Sequence, residues 1–120
     1  MRLIQRGGSN EGFNFASASA ALDGLLPANL KVNHINRGTL DGETARRKLL
    51  EALNRGQKIV NYIGHGNVDQ WRANLLTNED ARGLANGQLL SLFVMMTCLN
   101  GYFEDPVLRS LAEELMRSEH

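Results

Sequence analysis

Short apolar runs alternate along the chain with longer amphipathic stretches, and loops rich in glycine and asparagine separate them. The apolar runs predict strands at Arg2–Gln5, Lys31–Ile35, Lys58–Ile63 and Leu89–Met96. Apolar residues at helical spacing predict helices over Ala16–Leu26, from an Asp41 cap to Gly56, from a Thr77 cap to about Ala85, and from Asp105 and Pro106 to about Arg117. Alternating strands and helices joined by right-handed crossovers predict an α/β fold with a mostly parallel sheet.

The last predicted strand has a different composition from the others. Leu89–Met96 is the longest apolar run and is interrupted only by Ser91. A parallel strand that is covered on both faces has such a nearly continuous apolar sequence. We therefore predict a central strand here.

Composition limits the class of protein. The chain has 120 residues, which suits a single domain, and its 42% hydrophobic and 22% charged residues are typical of globular proteins. Thirteen basic residues balance thirteen acidic ones, so charge gives no reason to expect nucleic acid or an anionic membrane surface as a partner. No apolar run is long enough to span a membrane. The single cysteine argues against a disulfide framework or a multi-cysteine metal site.

Two reactive side chains follow consecutive predicted strands. His65 comes after Lys58–Ile63, and Cys98 comes after Leu89–Met96. Because functional groups collect beyond the carboxyl ends of parallel strands, we expect an imidazole and a thiol at one edge of the sheet. An imidazole can deprotonate a neighbouring thiol for nucleophilic catalysis. The backbone N–H groups of Gly66 and Cys98 are candidate donors to the oxyanion of a tetrahedral intermediate.

Each of these residues also has a structural interpretation. Cys98 can be a small buried apolar side chain, and His65 can be an exposed turn residue. Trp71 can line a substrate cleft near His65 or anchor the loop, and we favour the anchor. His34, His65 and Cys98 are zinc-ligand types, but their spacing matches no known ligand pattern. We therefore predict neither a metal site nor a cofactor.

Several segments between Asn61 and Leu115 resemble the gingipain-type cysteine peptidases, family C25. The residues Asn61–Asn67, followed by Trp71, resemble the G-H-G-S/N…W block around the family's catalytic histidine. Met96–Phe103 resembles the block around its nucleophile. The intervening and following matches are Leu75–Thr77, Leu84–Asn86 and Ser110–Leu115. The caspase nucleophile signature Q-A-C-x-G is absent from the sequence, so the resemblance is to C25 and not to caspases proper.

The resemblance implies a fold and a reaction. The fold would be a caspase-like three-layer sandwich of clan CD, with a mostly parallel sheet of about four strands flanked by helices and without the family's later strands. Cys98 would be the nucleophile and His65 the general base, and the N–H groups of Gly66 and Cys98 would form the oxyanion hole. The reaction would be hydrolysis of a polypeptide through a thioester acyl-enzyme. Glu11, Asp69 and Glu104 are candidates for an acidic residue that orients the histidine, and the residue preferred at P1 stays open.

We expect residues 1–120 to be a single-domain fragment of a larger C25 domain, because the family continues with a G-A-V-A type strand that is not found here. With a strand order of 2-1-3-4, Leu89–Met96 would then be an unpaired apolar edge, and such edges favour self-association. The resemblance also implies a bacterial and exported parent protein, while the location of this chain stays open.

Two other functions remain open. The chain can be a catalytically inactive C25-like fragment that acts as an interaction module. It can also be a flavodoxin-like binding domain with Gly7-Gly8 and Gly64-His65-Gly66 as ligand loops. The sequence lacks a phosphate loop of the form G-x-x-x-x-G-K-S/T, which weakens this last hypothesis.

Overall fold

The computed structural model describes residues 2–5, 15–36 and 40–118 of the chain, with side chains described from residue 17 onward. In chain order the elements are β1 (Arg2–Gln5), α1 (Phe15–Asp23), β2 (Lys31–His34), α2 (Gly42–Arg55), β3 (Ile59–Ile63), β4 (Gly66–Asn67), β5 (Gln70–Trp71), α3 (Asn78–Arg82), β6 (Leu92–Met96) and α4 (Leu111–Arg117). A short 3-10 turn at Arg72–Asn74 connects β5 to the segment before α3. No helix in the described ranges is long and apolar enough to cross a membrane.

The main sheet has four strands in the order β2-β1-β3-β6, and all of its pairs are parallel. This confirms the predicted parallel α/β architecture and the strand order 2-1-3-4. In the register of β3 with β6, Ile59 lies opposite Leu92 and Ile63 lies opposite Met96. The two strands therefore end level with each other, which brings the segments that follow them to one edge of the sheet.

A second, antiparallel pair joins β4 to β5 and was not predicted. Each of these strands has two residues, which is too few to produce a visible hydrophobic period. Gly66 lies opposite Trp71, and Asn67 lies opposite Gln70. We call the segment from His65 to Trp71 the histidine hairpin.

Helix α2 begins and ends where the sequence predicts. The Asp41 carboxylate accepts a hydrogen bond from the Thr44 N–H at 2.7 Å, as an N-cap does. Gly56 ends the helix with a φ of 85°, in the region that favours glycine. Its buried residues are Ala45, Leu49, Ala52 and Leu53. The Thr77 cap of α3 is also confirmed, and Asp80 completes a capping box with it.

The predicted start of the last helix is wrong. Asp105 accepts cap-like hydrogen bonds from the N–H groups of Val107 and Leu108, both at 2.8 Å, but it does not cap a helix because the residues after it form a bend. These two bonds lower the pKa of Asp105. The helix begins at Leu111 instead, where Ser110 and Glu113 form a reciprocal capping box. A Ser-x-x-Glu pattern before apolar residues is the stronger start signal here.

The prediction of a fully covered central strand at Leu89–Met96 is also wrong. The strand begins at Leu92, and among the described residues it pairs only with β3, so it forms an edge of the sheet. Leu89 lies in a turn in which its N–H donates to the Asn86 carbonyl at 3.0 Å. The other boundaries differ by a few residues: α1 ends at Asp23, β2 at His34 and α3 at Arg82.

The core lies between α2 and one face of the sheet. Val60 and Tyr62 of β3 are fully buried there and face the apolar side of α2. Trp71, Leu76, Ala81 and Leu111 extend the same cluster beneath the histidine hairpin. The loops that carry His65 and Cys98 therefore lie at the end of the paired strands β3 and β6, of which β3 is buried in the core.

Candidate active site

His65 lies at the carboxyl end of β3, and its backbone is firmly held. Its carbonyl oxygen accepts hydrogen bonds from the Tyr62 hydroxyl at 2.5 Å and from the Arg72 N–H at 3.0 Å. Just before it, the Gly64 N–H donates to the Met96 carbonyl at 3.5 Å, which extends the pairing of β3 with β6. The residue is exposed. The fold thus fixes the main chain of His65 and leaves the residue at the surface.

Cys98 occupies the corresponding position after β6. It lies two residues beyond Met96, as His65 lies two residues beyond the paired Ile63. Its thiol is free and the residue is exposed. Leu99, which follows, has a φ of 61°, in the left-handed region that a side chain rarely adopts. Such a conformation costs about 1–3 kcal/mol and persists only when the surroundings impose it.

The two loops touch at Gly66. A Cβ atom on Gly66 would lie 2.5 Å from Thr97 Oγ1 and 3.2 Å from the Cys98 carbonyl oxygen. The first residue of the hairpin strand β4 therefore packs directly against the backbone around Cys98. A side chain at this position would force Thr97 or its neighbours to move. The structure accordingly brings Gly66 and Cys98 together and places the backbone of His65 next to them.

Asn100 connects the same two loops and has no predicted role. Its side-chain Nδ2 donates to the carbonyl oxygens of Asn67 and, at 3.2 Å, Gln70, which are paired across the histidine hairpin. Its own carbonyl accepts from the Ala112 N–H at 3.0 Å, at the start of α4. The side chain is buried although it lies in a turn of exposed residues. A single polar residue in an exposed loop carries no periodic signal, so only the contacts identify it.

Trp71 is part of the core. It is 1% exposed, and its ring stacks on that of Tyr62, with centroids 4.1 Å apart and planes 4° apart. The Phe93 ring lies 6.5 Å from it at a tilted angle. This buried position favours the interpretation that Trp71 anchors the hairpin over β3.

The three acidic candidates have different positions. Glu11 lies outside the described residues. Asp69 lies in the turn of the histidine hairpin, where its backbone carbonyl accepts from the Asn78 N–H at 2.9 Å. Glu104 is exposed in the turn that follows Cys98. The orienting role stays a prediction for each of them.

His34 lies away from the other two candidate ligands. It ends β2, which β1 separates from β3, and its Nε2 lies 2.7 Å from a carboxylate oxygen of Asp23. Within the described part of the chain, no group of three or more histidine, cysteine, aspartate or glutamate side chains could hold a metal ion. His34 is therefore not assembled with His65 and Cys98.

An ion pair fixes the segment that follows the histidine hairpin. The Arg46 guanidinium of α2 donates two hydrogen bonds to the Asp80 carboxylate of α3, and also donates to the Asn74 carbonyl at 3.0 Å. Burial alone would raise the pKa of Asp80, but the hydrogen bonds from Arg46 and Thr77 outweigh it and lower that pKa. The segment between the hairpin and α3 is thereby attached to α2.

Comparison with known families decides the classification. The family model of peptidase family C25 matches residues 4–120. The chain belongs to peptidase family C25. The resemblance to gingipain-type cysteine peptidases is thus confirmed, and the flavodoxin-like hypothesis is not retained.

Known C25 proteins resemble the chain over part of their length. Gingipain R2 of Porphyromonas gingivalis is 30% identical over 73 residues, which are 61% of this chain and 10% of that protein. Gingipain R1 of the same organism is 30% identical over 73 residues and is covered to 7%. The chain thus spans a small part of the length of the curated relatives that it matches.

Solved structures confirm the caspase-like fold. The crystal structure of the Arg-specific cysteine proteinase gingipain R matches 99% of this chain with a TM-score of 0.83 and 20% identity, and 28% of that chain is covered. The complex of the Porphyromonas gingivalis RgpB pro- and mature domains matches with a TM-score of 0.76 and 18% identity, over 99% of this chain and 29% of that one. This C25 chain therefore has the fold of the part of gingipain R that it covers.

Proposed function

We propose that this C25 chain carries the reactive pair of a cysteine endopeptidase, with Cys98 as nucleophile and His65 as general base. The observation that supports the proposal is the pairing of β3 with β6. Ile63 and Met96 lie opposite each other, and the two candidate residues follow at the same distance along their chains. Because Gly66 packs against the Cys98 backbone, the two loops that carry the pair are in contact.

The proposed reaction uses only protein groups. The imidazole of His65 takes the thiol proton of Cys98, and the sulfur attacks the carbonyl carbon of a peptide bond. The backbone N–H groups of Gly66 and Cys98 donate to the oxyanion that forms. His65 then returns the proton to the departing amine, which leaves a thioester on Cys98. Water activated by His65 adds to the thioester, and its hydrolysis releases the second peptide and restores the thiol.

Polypeptides are the proposed partners. One of the matching solved structures holds pro- and mature domains together, so its protein binds a polypeptide chain. The exposure of both His65 and Cys98 leaves the proposed site open to a chain of that kind. We therefore propose that the substrate of this protein is also a polypeptide, with the preferred side chain left open.

Labelling of the thiol tests the reactive pair. A peptidyl chloromethyl ketone should alkylate Cys98 faster than it alkylates free cysteine at mildly acidic pH, as followed by mass spectrometry of the modified peptide. His65→Ala should slow the labelling by about 100-fold, the usual contribution of a general base. His34→Ala is the matched control, because it removes a histidine from β2 and should leave the rate unchanged. Alkylation of Cys98 no faster than that of free cysteine would contradict the proposal.

A second candidate function is an interaction module without a working active site. The observation that favours it is the exposed apolar surface around β6, where Leu92, Val94 and Met96 are 61%, 40% and 47% exposed. An apolar groove adjoins this edge, lined by Leu90, Phe93, Met95, Leu115 and Met116. Exposed strand edges of this kind pair readily with another chain.

We propose that the exposed edge strand β6 pairs with a second copy of the chain, whichever of the two functions holds. Sedimentation velocity over a range of concentrations should reveal oligomers. Val94→Lys should shift the chain toward monomer, because lysine on an edge strand opposes pairing. Val107→Lys is the control, since Val107 is 92% exposed and lies in the turn before α4. A clean monomer of the unmodified chain at high concentration would contradict self-association.

A further inference from the structure

Asn100 joins the histidine hairpin to the turn that carries Cys98. Its side chain is 3% exposed, and one amide nitrogen, Nδ2, donates to two carbonyl oxygens of the histidine hairpin. These carbonyls belong to Asn67 and Gln70, which lie on either side of the hairpin turn. An amide nitrogen has two donor hydrogens, so the bonding capacity of Nδ2 is used in full on one neighbouring loop.

The turn between Cys98 and Asn100 is held at its two ends and by a hydrogen bond from the Tyr102 N–H to the Leu99 carbonyl at 3.0 Å. Cys98 and Leu99 are both exposed, so the turn has little apolar packing of its own. Leu99 is in the left-handed conformation, which the surroundings have to impose. On one side the turn is held by the end of β6. On the other side it is held by Asn100, through its side chain and through the bond from the Ala112 N–H to its carbonyl.

The histidine hairpin also contacts the start of α4, the helix that Asn100 is bonded to. The carbonyl oxygen of Val68, in the hairpin turn, accepts a hydrogen bond from the Leu111 N–H at 2.8 Å. The hairpin is therefore held both by the start of α4 and by Asn100. Asn100 Nδ2 lies 3.2 Å from the position that a Cβ of Gly66 would occupy. The amide of Asn100 therefore lies beside the residue that directly follows His65.

We propose that Asn100 is a positioning residue, which sets the distance between the His65 imidazole and the Cys98 sulfur by holding the hairpin against the turn. This inference rests on the proposed function of that pair. Proton transfer requires a donor and an acceptor within hydrogen-bond reach, and a misplacement of about 1 Å can cost about 100-fold in rate. The amide thus acts through the geometry of two other residues and does not touch the substrate.

The first test compares two buried amides. Asn100→Ala removes the donor to the hairpin, and Gln57→Ala removes a donor of equal burial, 3% exposed, whose Nε2 bonds to the Ala52 carbonyl at 2.8 Å beside α2. Both variants lose one buried amide, which donates two hydrogen bonds at Asn100 and one at Gln57, so the loss of stability in urea unfolding should be somewhat larger in Asn100→Ala. We expect alkylation of Cys98 by a peptidyl chloromethyl ketone to fall at least tenfold in Asn100→Ala, which is a modest fraction of the loss that misplacement can cause. The rate should stay at the parent value in Gln57→Ala.

A double-variant cycle separates positioning from plain destabilisation. If Asn100 acts through His65, Asn100→Ala should have no further effect on the alkylation rate in a His65→Ala background. Loss of His65 alone that leaves the rate unchanged would overturn the proposed pair. A normal His65 effect together with equal rates in Asn100→Ala and Gln57→Ala would overturn only the role of Asn100.

A third variant covers the case in which Asn100→Ala does not fold. Asn100→Gln keeps an amide and leaves no cavity, but its extra methylene moves the donor away from the two hairpin carbonyls. We expect a folded chain, by circular dichroism, with slowed alkylation that again depends on His65. A parent-like rate in folded Asn100→Gln would contradict the proposal.

Discussion

Neighbouring strands β3 and β6 have similar apolar sequences, but β3 is buried and β6 leaves one face exposed. Val60, Tyr62 and Ile63 of β3 are between 0% and 7% exposed, whereas Leu92, Val94 and Met96 of β6 are between 40% and 61% exposed. The two strands are paired in register over their whole length. Strand β3 has a partner on each side, and β6 has one among the described residues. Burial here is decided by the position of a strand in the sheet, and composition alone does not reveal it.

The same contrast extends to the loops that follow the strands. The loop after β3 folds back as the histidine hairpin, and Trp71 of that hairpin is buried against Tyr62. The loop after β6 exposes Leu99 and Phe103 and is held chiefly through Asn100. The side of the site that carries His65 therefore rests on the core, while the side that carries Cys98 depends on a few hydrogen bonds.

The largest effect is expected at the aromatic residue beneath the hairpin. Trp71→Ala should lower the free energy of unfolding by about 4 kcal/mol, because it empties a fully packed site against Tyr62 and Phe93. Phe103→Ala, at a residue that is 71% exposed after β6, should change it by less than about 1 kcal/mol. Urea unfolding at low protein concentration measures both. Equal losses in the two variants would break the contrast between the loops.

A pair of valines tests the strands themselves. Val60→Ala on β3 should cost about 2 kcal/mol, since Val60 is fully buried. Val94→Ala on β6 should cost less than about 1 kcal/mol, because the side chain is already 40% exposed. The chemical change is the same in both variants, so the difference in urea midpoint reports burial directly. A cost at Val94 as large as that at Val60 would indicate that β6 is covered in solution.

Two glycines test the contact between the loops. Gly66→Ala places a methyl group 2.5 Å from Thr97 Oγ1, so we expect a loss of about 1–2 kcal/mol and slower alkylation of Cys98 as the hairpin moves away. Gly101→Ala meets nothing within 4 Å and should leave both quantities unchanged. Parent-like stability and labelling in Gly66→Ala would show that the close approach is unimportant.

The smallest effect concerns the ion pair between α2 and α3, on the covered side of the sheet. The pKa of Asp80 is lowered from its ordinary value of 3.8, so the carboxylate stabilises the folded state above that value, and the contribution disappears as the pH falls through the lowered pKa. Asp80→Asn should therefore cost about 1 kcal/mol at neutral pH. The difference from the parent should shrink in strong acid, as measured by urea unfolding across the pH range. A difference that is constant with pH would contradict the ionic role of Asp80.

The sequence alone determined the features that depend on local chemistry. The Asp41 and Thr77 caps and the Gly56 terminus are set by hydrogen bonds and backbone conformations within a few residues, so they could be predicted. The alternation of strands and helices, with right-handed connections, was sufficient for a parallel sheet. The family resemblance identified the segments around His65 and Cys98 as the candidate active site.

The tertiary structure decided what depends on neighbours that are distant in the chain. The edge position and exposure of β6, the burial of Trp71 and the contact of Gly66 with the Cys98 backbone all depend on which segments meet. The late start of α4 was visible locally in Ser110 and Glu113, but the Asp105-Pro106 pair competed with it until the hydrogen bonds were known. Asn100 is the clearest case of a residue whose position depends on distant neighbours. Its buried amide bonds to backbone carbonyls of another loop, and the residues next to it in the sequence give no sign of this.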